Sequence, residues 1–200
     1  MTAEMLTESP ATPLSELGPF RKSDYLALPD EPRCELILGR IYATPSRSVL
    51  HQAAAVLTFF VLRAAARRTR GFAAIAPLDV TLADHSVVQP DVIYVSAARL
   101  GIVKDRIEGA PDLLVEVLSR GTARRDRGEK LKLYAESGVR EYWILDPVER
   151  QIEFLINRGA AFQVALAVDG KYRSTELPEI EIDLADLWRE LDQDLPPRST

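Results

Sequence analysis

The chain has 200 residues, enough for one domain with its own hydrophobic core, and its 46% hydrophobic and 28% charged residues are ordinary for a globular protein. Its single cysteine, Cys34, excludes an internal disulfide and a metal cluster built from cysteines. The net charge of −5 at pH 7 argues at first against a nucleic-acid partner.

The sequence shows no membrane or export signal. No apolar run approaches the roughly 18 residues that a membrane span needs. The N-terminus carries Glu4 and Glu8 and has neither the basic start nor the apolar core of a signal peptide. We therefore expect a cytoplasmic protein with no membrane partner.

The charge is distributed unevenly along the chain. Residues 176–200 carry a net charge of −6, so the total of −5 leaves +1 for residues 1–175. Two basic clusters lie in that part: Arg63, Arg67, Arg68 and Arg70, and Arg120, Arg124, Arg125, Arg127, Lys130 and Lys132. A local basic face can bind a phosphate backbone despite an acidic total. Solvated helix faces explain either cluster alone at least as well.

The first half of the chain contains a leader, two helices and a hairpin. Residues 1–19 are rich in Pro, Thr, Ser and Glu, which predicts a flexible leader. Turn and periodicity signals then predict a short capped helix at Ser23–Leu26, a hairpin at Cys34–Tyr42 that turns at Gly39, and a helix over Ser48–Arg70 that Gly71 ends.

The second half alternates strands and helices. Alternating apolar and polar residues, bounded by breaker residues, predict strands at Ala73–Leu82, Val87–Val95, Asp112–Ser119 and Glu141–Leu145. A charged connection is expected at Arg99–Gly109, and a helix at Ala123–Ser137 that Gly138 closes. Short strands at Ile152–Leu155, Phe162–Ala167 and Tyr172–Leu177 and a short helix at Ile182–Leu191 follow.

This order predicts one α/β domain over residues 20–191, followed by a polar tail at 192–200. A mixed sheet of about five or six strands is expected on base rates. Asp112–Ser119 is apolar on both faces, as in a central strand, and the helix after it can form a right-handed crossover to Glu141–Leu145.

Glu116 is the most informative side chain of that central strand. Leu114, Val115, Val117 and Leu118 surround it, and a buried carboxylate is costly unless it is paired or binds a metal. A buried ion pair is therefore the alternative to a functional role.

Asp91 is the second carboxylate. It follows Pro90 at the start of another apolar run, and a turn or helix cap is its ordinary role. Two strands that each carry one carboxylate can bring both to one point and form a site for a hard divalent cation. We therefore predict metal binding by Asp91 and Glu116.

Lys130 is the predicted cationic partner of the two carboxylates. At about 100° per residue it lies near the middle of the helix's apolar arc, with Tyr134 about 40° away and Lys132 about 200° away on the outer face. The ammonium can snorkel to water or pair with Asp126 at i,i+4. Alternatively, it can reach Glu116 and Asp91, where it would orient a water and neutralise charge on a phosphate.

Four kinds of side chain are further candidates. Glu35, near the start of the sheet, can add a metal ligand or activate water, although a surface strand glutamate is the ordinary alternative. His51 near the start of the long helix and Gln89 before Pro90 are candidate substrate contacts, and so are the arginines Arg124 and Arg125. The aromatic residues Tyr134, Tyr142 and Trp143 are expected to pack in the core. The sequence contains no Gly-rich phosphate loop and too few His and Cys residues for a zinc signature.

Taken together, these residues resemble a known family. The matching pieces are Glu35-Leu36-Ile37-x-Gly39, His51, Pro90-Asp91-Val92, Pro111 to Ser119, Asp126-x-x-x-Lys130-x-x-x-Tyr134 and Gly138-Val139-x-Glu141-Tyr142-Trp143-Ile144-x-Asp146-Pro147. Over about residues 24–165 the chain resembles the Uma2 family, which is similar to the restriction-endonuclease-like PD-(D/E)xK nuclease superfamily.

The resemblance implies a restriction-endonuclease-like α/β (α+β) core, with a mixed central sheet flanked by helices and a C-terminal antiparallel strand extension. It implies a Mg²⁺-dependent endonuclease, with Mn²⁺ as an alternative metal held by Asp91 and Glu116, and with Glu35 as the further acidic residue. The expected partner is nucleic acid, DNA in the first place. A homodimer is an expectation from the superfamily alone.

One departure from the superfamily pattern concerns its lysine. The pattern ends in (D/E)-x-K on one strand, but this chain reads Glu116-Val117-Leu118. Lys130 on the following helix is the expected replacement. The alternative function is a catalytically inactive nuclease-fold module that binds nucleic acid or serves as an accessory protein, which the missing strand lysine and the acidic total favour.

Overall fold

The computed structural model describes residues 17–119, 121–159 and 161–195. In chain order its elements are α1 (Lys22–Leu26), β1 (Cys34–Ile37), β2 (Arg40–Ala43), α2 (Val49–Thr69), β3 (Phe72–Ile75), β4 (Val80–Ala83), β5 (Ser86–Val88), β6 (Val92–Val95), a 3-10 helix (Ala97–Ile102), β7 (Ile107–Glu108), β8 (Leu113–Val117), α3 (Ala123–Asp126), α4 (Glu129–Glu136), β9 (Glu141–Asp146), β10 (Gln151–Asn157), β11 (Phe162–Ala165), β12 (Lys171–Arg173), β13 (Glu181–Asp183) and α5 (Leu184–Asp194).

These strands form two main sheets. Within the described residues, the large sheet has six strands in the order β11-β10-β9-β8-β6-β3, and only β8 and β9 in it are parallel. The small sheet has five strands in the order β2-β1-β5-β4-β7, and β12 pairs with β13. The mixed sheet, the β8–β9 parallel crossover and the C-terminal antiparallel extension are thus confirmed.

The central strand β8 separates two apolar layers, because alternate strand residues face opposite sides of a sheet. Leu113, Val115 and Val117 pack in the layer that contains α2 and α5. Leu114 and Leu118 pack in the layer that contains α4 and the small sheet. Position 116 belongs to the second layer, so its side chain lies between α4 and the small sheet.

The long helix α2 covers the first layer. The side chain of Ser48 caps its start by accepting a hydrogen bond from the N–H of His51 at 3.2 Å, and Arg70, the residue that caps its end, is left-handed with φ 60°. By length and composition alone α2 could cross a membrane, but a core helix passes the same test. One face of α2 packs on β3, β6 and α5 in the protein core.

The predicted hairpin is confirmed, and the last residues of the predicted leader contact its turn. Leu38 and Gly39 form the turn with φ values of 49° and 75°. Gly18 donates to the carbonyl of Leu38 at 2.7 Å, and a side chain at position 39 would lie 2.3 Å from the carbonyl oxygen of Gly18. Residues 17–19 of the predicted leader therefore pack on the fold, whereas residues 1–16 lie outside the described residues.

The prediction of one helix over Ala123–Ser137 is wrong. The chain breaks at Arg127-Gly128 into α3 and α4, and Gly128 approaches Arg124 so closely that a side chain there would lie 2.9 Å from the Arg124 carbonyl oxygen. The hydroxyl of Tyr142 donates to the carbonyl of Asp126 at 3.1 Å, which satisfies one of the carbonyls that the break releases.

Two predicted strands are each divided in two. Pro77 and Pro90 lie at the divisions, and a proline has no N–H to donate to a strand ladder. As a result β4 and β5 join the small sheet, while β3 and β6 join the large one.

Three further boundaries differ from the predictions. The connection Arg99–Gly109 contains the end of the 3-10 helix and β7. The predicted strand Tyr172–Leu177 ends at Arg173, and the predicted helix Ile182–Leu191 is β13 followed by α5. The predicted polar tail therefore begins inside α5, and residues 196–200 lie outside the described residues.

Candidate active site

Glu116 is the centre of the candidate site. It is the only charged residue of β8 and is 1% exposed. Its side chain enters the layer between α4 and the small sheet, where Leu114, Leu118 and Leu133 are buried. A carboxylate in such a place requires hydrogen bonds and a counter-charge.

Lys130 supplies that counter-charge from α4. Its Nζ lies 2.8 Å from Oε1 of Glu116, 2.8 Å from Oε1 of Glu35 and 3.9 Å from Oδ1 of Asp126. The inward direction predicted from the helical period is confirmed, and the ammonium does not snorkel to water, since the side chain is 2% exposed. The expected reach to Asp91 is wrong: within the described chain Asp91 is not an ion-pair partner of Lys130, and Glu35 takes its place.

Glu35 brings the small sheet to this cluster. It lies on β1 and is 3% exposed, which excludes the surface glutamate considered from the sequence. Its Oε1 also accepts the backbone N–H of Gln89 at 2.8 Å. The side-chain amide of Gln89 bonds to Tyr25 and Asp79 instead, so Gln89 acts on the cluster through its main chain.

Asp91 is held beside Glu116 by the backbone of β8. Its Oδ2 accepts the N–H of Val117 at 2.8 Å and lies 3.2 Å from Nε2 of His51. Nη2 of Arg47 lies 3.7 Å from Oδ1. Asp91 and His51 are 4% and 2% exposed, so the helix α2 and the strand β8 together fix Asp91.

The surroundings of the carboxyl groups shift their pKa values in opposite directions. Burial raises the pKa of Glu116 well above its usual range, Lys130 opposes this, and the charges of Asp126, Asp91 and Glu35 add to it. Burial also raises the pKa of Asp126. Burial would raise the pKa of Asp91 too, but the proximity of His51, the charge of Arg47 and the N–H of Val117 outweigh burial and lower that pKa.

The ammonium responds to the same excess of negative charge. Burial alone would lower the pKa of Lys130, but the charges of Glu116, Glu35 and Asp126 outweigh burial and raise it. Lys130 is therefore charged at neutral pH. Three carboxyl groups therefore share this one ammonium.

Tyr134, expected only to pack in the core, also contacts the candidate site. It is completely buried as predicted, but its hydroxyl donates to Oε1 of Glu116 at 2.7 Å. Its spacing of four residues from Lys130 put it on the same helix face and could have revealed this contact. Arg47 beside Asp91 had no sequence signal, because it precedes α2 in an irregular segment.

The free oxygens of three carboxylates determine whether a cation fits. Glu116 and Glu35 are each held through Oε1 and Asp91 through Oδ2, and none of the described residues donates a hydrogen bond to the other oxygen of any of the three. Both side-chain oxygens of Asp126 are buried and also accept no hydrogen bond there.

The donor set is oxygen-only, as Mg²⁺ prefers. Among the described residues no group of three or more His, Cys, Asp or Glu side chains is placed so that it could hold a metal ion. Mg²⁺ is commonly bound by one or two carboxylates together with waters and substrate phosphates. In ligand chemistry, the oxygen donors of Asp91 and Glu116 therefore match what Mg²⁺ requires.

A small basic cavity adjoins Asp91. It has a volume of about 70 Å³. Its lining residues are Arg33, Thr44, Arg47, Gln52, Ala76, Pro77, Gln89 and Asp91. The guanidinium groups of Arg33 and Arg47 thus place positive charge beside the carboxylate of Asp91.

Arg124 and Arg125 do not reach the buried cluster. They line a separate open notch of about 440 Å³ together with Tyr42, and the guanidinium of Arg125 lies 4.1 Å from the centre of the Tyr42 ring. Tyr42 pairs directly with Glu35 across β1 and β2. The notch therefore flanks the cluster, and the two arginines lie at its outer side.

Glu141 is a buried strand glutamate with a different environment. It lies on the opposite face of the large sheet, where Trp143 donates to it at 2.6 Å, Tyr172 donates to it at 2.7 Å and Ser174 donates to its second oxygen. Both of its oxygens are thus occupied by neutral donors that join β9 to the C-terminal strands. Glu141 is a structural group and provides a contrast to Glu116.

Comparison with known proteins agrees with this fold. The model of a family described as "Uma2: Putative restriction endonuclease" matches residues 23–185. The chain is also similar to a crystal structure described as "a putative nuclease belonging to DUF820 from Anabaena variabilis ATCC 29413", with a TM-score of 0.73 and 22% identity over 86% of this chain and 99% of that chain. At this identity the likeness shows the fold, which is of the restriction-endonuclease-like class. No curated protein matches the chain.

Proposed function

The chain belongs to the Uma2 family, and from this membership and the buried carboxylate–lysine cluster we propose that it is an endonuclease that hydrolyses DNA phosphodiester bonds with Mg²⁺ or Mn²⁺. One observation carries the proposal: Nζ of Lys130 lies 2.8 Å from both Glu116 and Glu35. The nuclease pattern places a lysine two residues after the carboxylate on the same strand. This strand has Leu118 at that position, and Lys130 brings an ammonium next to Glu116 from a helix instead.

Asp91 and Glu116 would hold the metal ion, with Glu35 as a further oxygen donor, and the bound ion would polarise the phosphate and lower the pKa of a water. The protein's own contribution is to hold these carboxylates in place. The N–H of Val117 fixes Asp91, while Lys130 and Tyr134 fix Glu116, so one oxygen of each carboxylate stays available.

Lys130 orients the attacking water and neutralises charge that develops on the phosphate. Its position supports both roles, since an ammonium has three N–H donors and can keep a carboxylate contact while it donates to water. Glu35 retains the ammonium near Glu116, and its own Oε1 is held by the N–H of Gln89. Glu35 is in this respect a positioning residue as well as a candidate ligand.

Basic side chains around the cluster would bind the nucleic-acid backbone. Arg47 lines the small cavity at Asp91, and Arg124 and Arg125 line the outer notch. Contacts of this kind orient a duplex without reading its sequence. His51 lies beside Asp91 in the interior and is therefore proposed to position that carboxylate rather than to touch DNA.

The test is nicking of supercoiled plasmid DNA in the presence of Mg²⁺ or Mn²⁺. We expect nicking by the wild type to require the metal. The substitution Glu116→Gln should lower the nicking rate by at least about 100-fold, which is the scale of the loss of one electrostatic group in an active site. Glu141→Gln is the matched control, because it makes the same change on the other face of the sheet.

No metal-dependent nicking by the wild type over a range of salt concentrations would contradict the proposal. If the wild type then still bound DNA, the alternative of an inactive nuclease-fold module would hold. Equal nicking by wild type and Glu116→Gln would place the activity at another site or in a contaminant.

A further inference from the structure

Within the described residues, the hydroxyl of Tyr134 has Glu116 as its one hydrogen-bond acceptor. Its hydroxyl donates to Oε1 of Glu116 at 2.7 Å from a fully buried ring. A tyrosine hydroxyl has an ordinary pKa of about 10, so it keeps its proton at neutral pH and acts as a permanent donor.

Lys130 contacts the same oxygen but divides its charge among several groups. Glu35 and Glu116 are equally close to the ammonium, and Asp126 is one turn away at 3.9 Å. In the proposed reaction the ammonium also serves water and phosphate. Tyr134 therefore gives Glu116 a second donor, whose direction does not depend on the other contacts of the ammonium.

The neighbouring Tyr142 shows that burial of a tyrosine in this layer does not by itself produce such a contact. The two rings meet edge to face with centres 5.0 Å apart, and both are completely buried. The hydroxyl of Tyr142 donates to the backbone carbonyl of Asp126, at the helix break. Of this pair, only Tyr134 hydrogen-bonds a candidate metal ligand.

The hydrogen bonds also determine which oxygen of Glu116 is free. Tyr134 and Lys130 both take Oε1, and none of the described residues donates to Oε2. A carboxylate gripped through one oxygen has a fixed rotation about its last bond. Groups that orient a metal ligand in this way strengthen metal binding although they do not touch the metal.

We propose that Tyr134 is a positioning residue of the site, whose hydroxyl holds Oε1 of Glu116 so that Oε2 remains directed to the metal while Lys130 serves water and phosphate. The inference rests on the proposed function for the identity of the bound ion. It adds a residue of α4 whose role is separate from that of Lys130.

The test measures Mn²⁺ affinity by isothermal titration calorimetry on the full chain without nucleic acid. Tyr134→Phe and Tyr142→Phe each remove one hydroxyl from a buried ring and keep the ring. We expect Tyr134→Phe to weaken Mn²⁺ binding by about 10-fold or more, as for other groups that orient a metal ligand. Tyr142→Phe should change the affinity by less than about twofold, since it orients no candidate ligand. Urea unfolding of both variants checks that they are folded.

Unchanged affinity in Tyr134→Phe, or an equal loss in both variants, would overturn the inference. A wild type that binds no Mn²⁺ would overturn it together with the proposed function. A wild type that binds Mn²⁺ and loses affinity in Tyr134→Phe, but nicks no DNA, would contradict the proposed function alone.

A second readout separates positioning from general damage to the fold. In the nicking assay, Tyr134→Phe should raise the Mn²⁺ concentration for half-maximal rate and recover most of the wild-type rate when Mn²⁺ is saturating. A merely structural role would lower the maximal rate and leave that concentration unchanged, which would overturn the inference.

Discussion

The ammonium of Lys130 lies 2.8 Å from the carboxylate of Glu35, and this contact joins two sheets. Glu35 belongs to β1 of the small sheet, whereas Lys130 lies on the helix that connects β8 to β9 of the large sheet. The candidate site is therefore assembled between the sheets. The geometry of the site therefore depends on how the two sheets pack against each other as well as on the individual strands.

Loss of the ammonium should destabilise the protein. Lys130→Met leaves Glu35, Glu116 and Asp126 buried without their shared counter-charge, and removal of one partner of a buried ion pair typically costs about 3–5 kcal/mol. Urea unfolding measures this cost. A free energy of unfolding within about 0.5 kcal/mol of the wild type, as is usual for surface substitutions, would show that the cluster compensates without Lys130.

A bound metal should stabilise the wild type and not the variant that lacks the central carboxylate. A ligand that binds only the folded state at 100 times its Kd adds about 2.7 kcal/mol to the free energy of unfolding. We therefore expect Mn²⁺ to raise the Tm of the wild type and to leave that of Glu116→Gln almost unchanged. Equal shifts in the two proteins would assign the ion to another site.

The notch at Tyr42 should contribute to binding of nucleic acid but not to its chemistry. Arg125→Met removes one guanidinium beside Glu129 and Tyr42, and a phosphate contact of this kind should reduce the slope of log affinity against log salt by about 1. Fluorescence anisotropy with a labelled duplex at several salt concentrations measures the slope. An unchanged slope would mean that Arg125 contacts no phosphate.

The structural glutamate Glu141 predicts a pH dependence of stability. Burial raises the pKa of Glu141 above the ordinary 4.5, and the hydrogen bonds from Ser174, Trp143 and Tyr172 only partly oppose this. The folded state therefore binds more protons than the unfolded state above pH 4.5. The stability that this proton contributes is fully present below pH 4.5 and is lost as the pH rises through the folded pKa.

The comparison is between wild type and Glu141→Gln, which does not titrate. We expect the free energy of unfolding of the wild type to fall relative to the variant when the pH is raised from 4.5 to 7.5. Urea unfolding at three pH values in this range measures the difference. A difference that is constant, or that changes in favour of the wild type, would contradict the raised pKa.

The local sequence pattern was sufficient to identify the residues at the centre of the site. The polar position in an otherwise apolar strand identified Glu116, and the angular position on the helix predicted that Lys130 points inward. Both depend on the regular geometry of one element, which the sequence encodes directly. The break at Gly128 shifts the start of the helix but keeps Lys130 and Tyr134 one turn apart.

Contacts between distant elements were less accessible from the sequence. Lys130 was expected to reach Asp91 and instead contacts Glu35, which lies on β1 of the small sheet, and no local pattern indicates that this sheet packs on α4. Arg47 reaches Asp91 from an irregular segment. No periodicity describes such a segment, so its direction depends on tertiary packing alone.

In the proposed reaction, Lys130 on α4 performs the task that the nuclease pattern assigns to a lysine on the strand. The most direct measurement compares plasmid nicking at saturating Mn²⁺ by Lys130→Met and Lys132→Met, which make the same change on opposite faces of one helix. We predict that Lys130→Met lowers the rate at least about 100-fold, as for an electrostatic group at a reacting centre, and that Lys132→Met stays within about twofold of the wild type. Wild-type rates in both variants would contradict the claim.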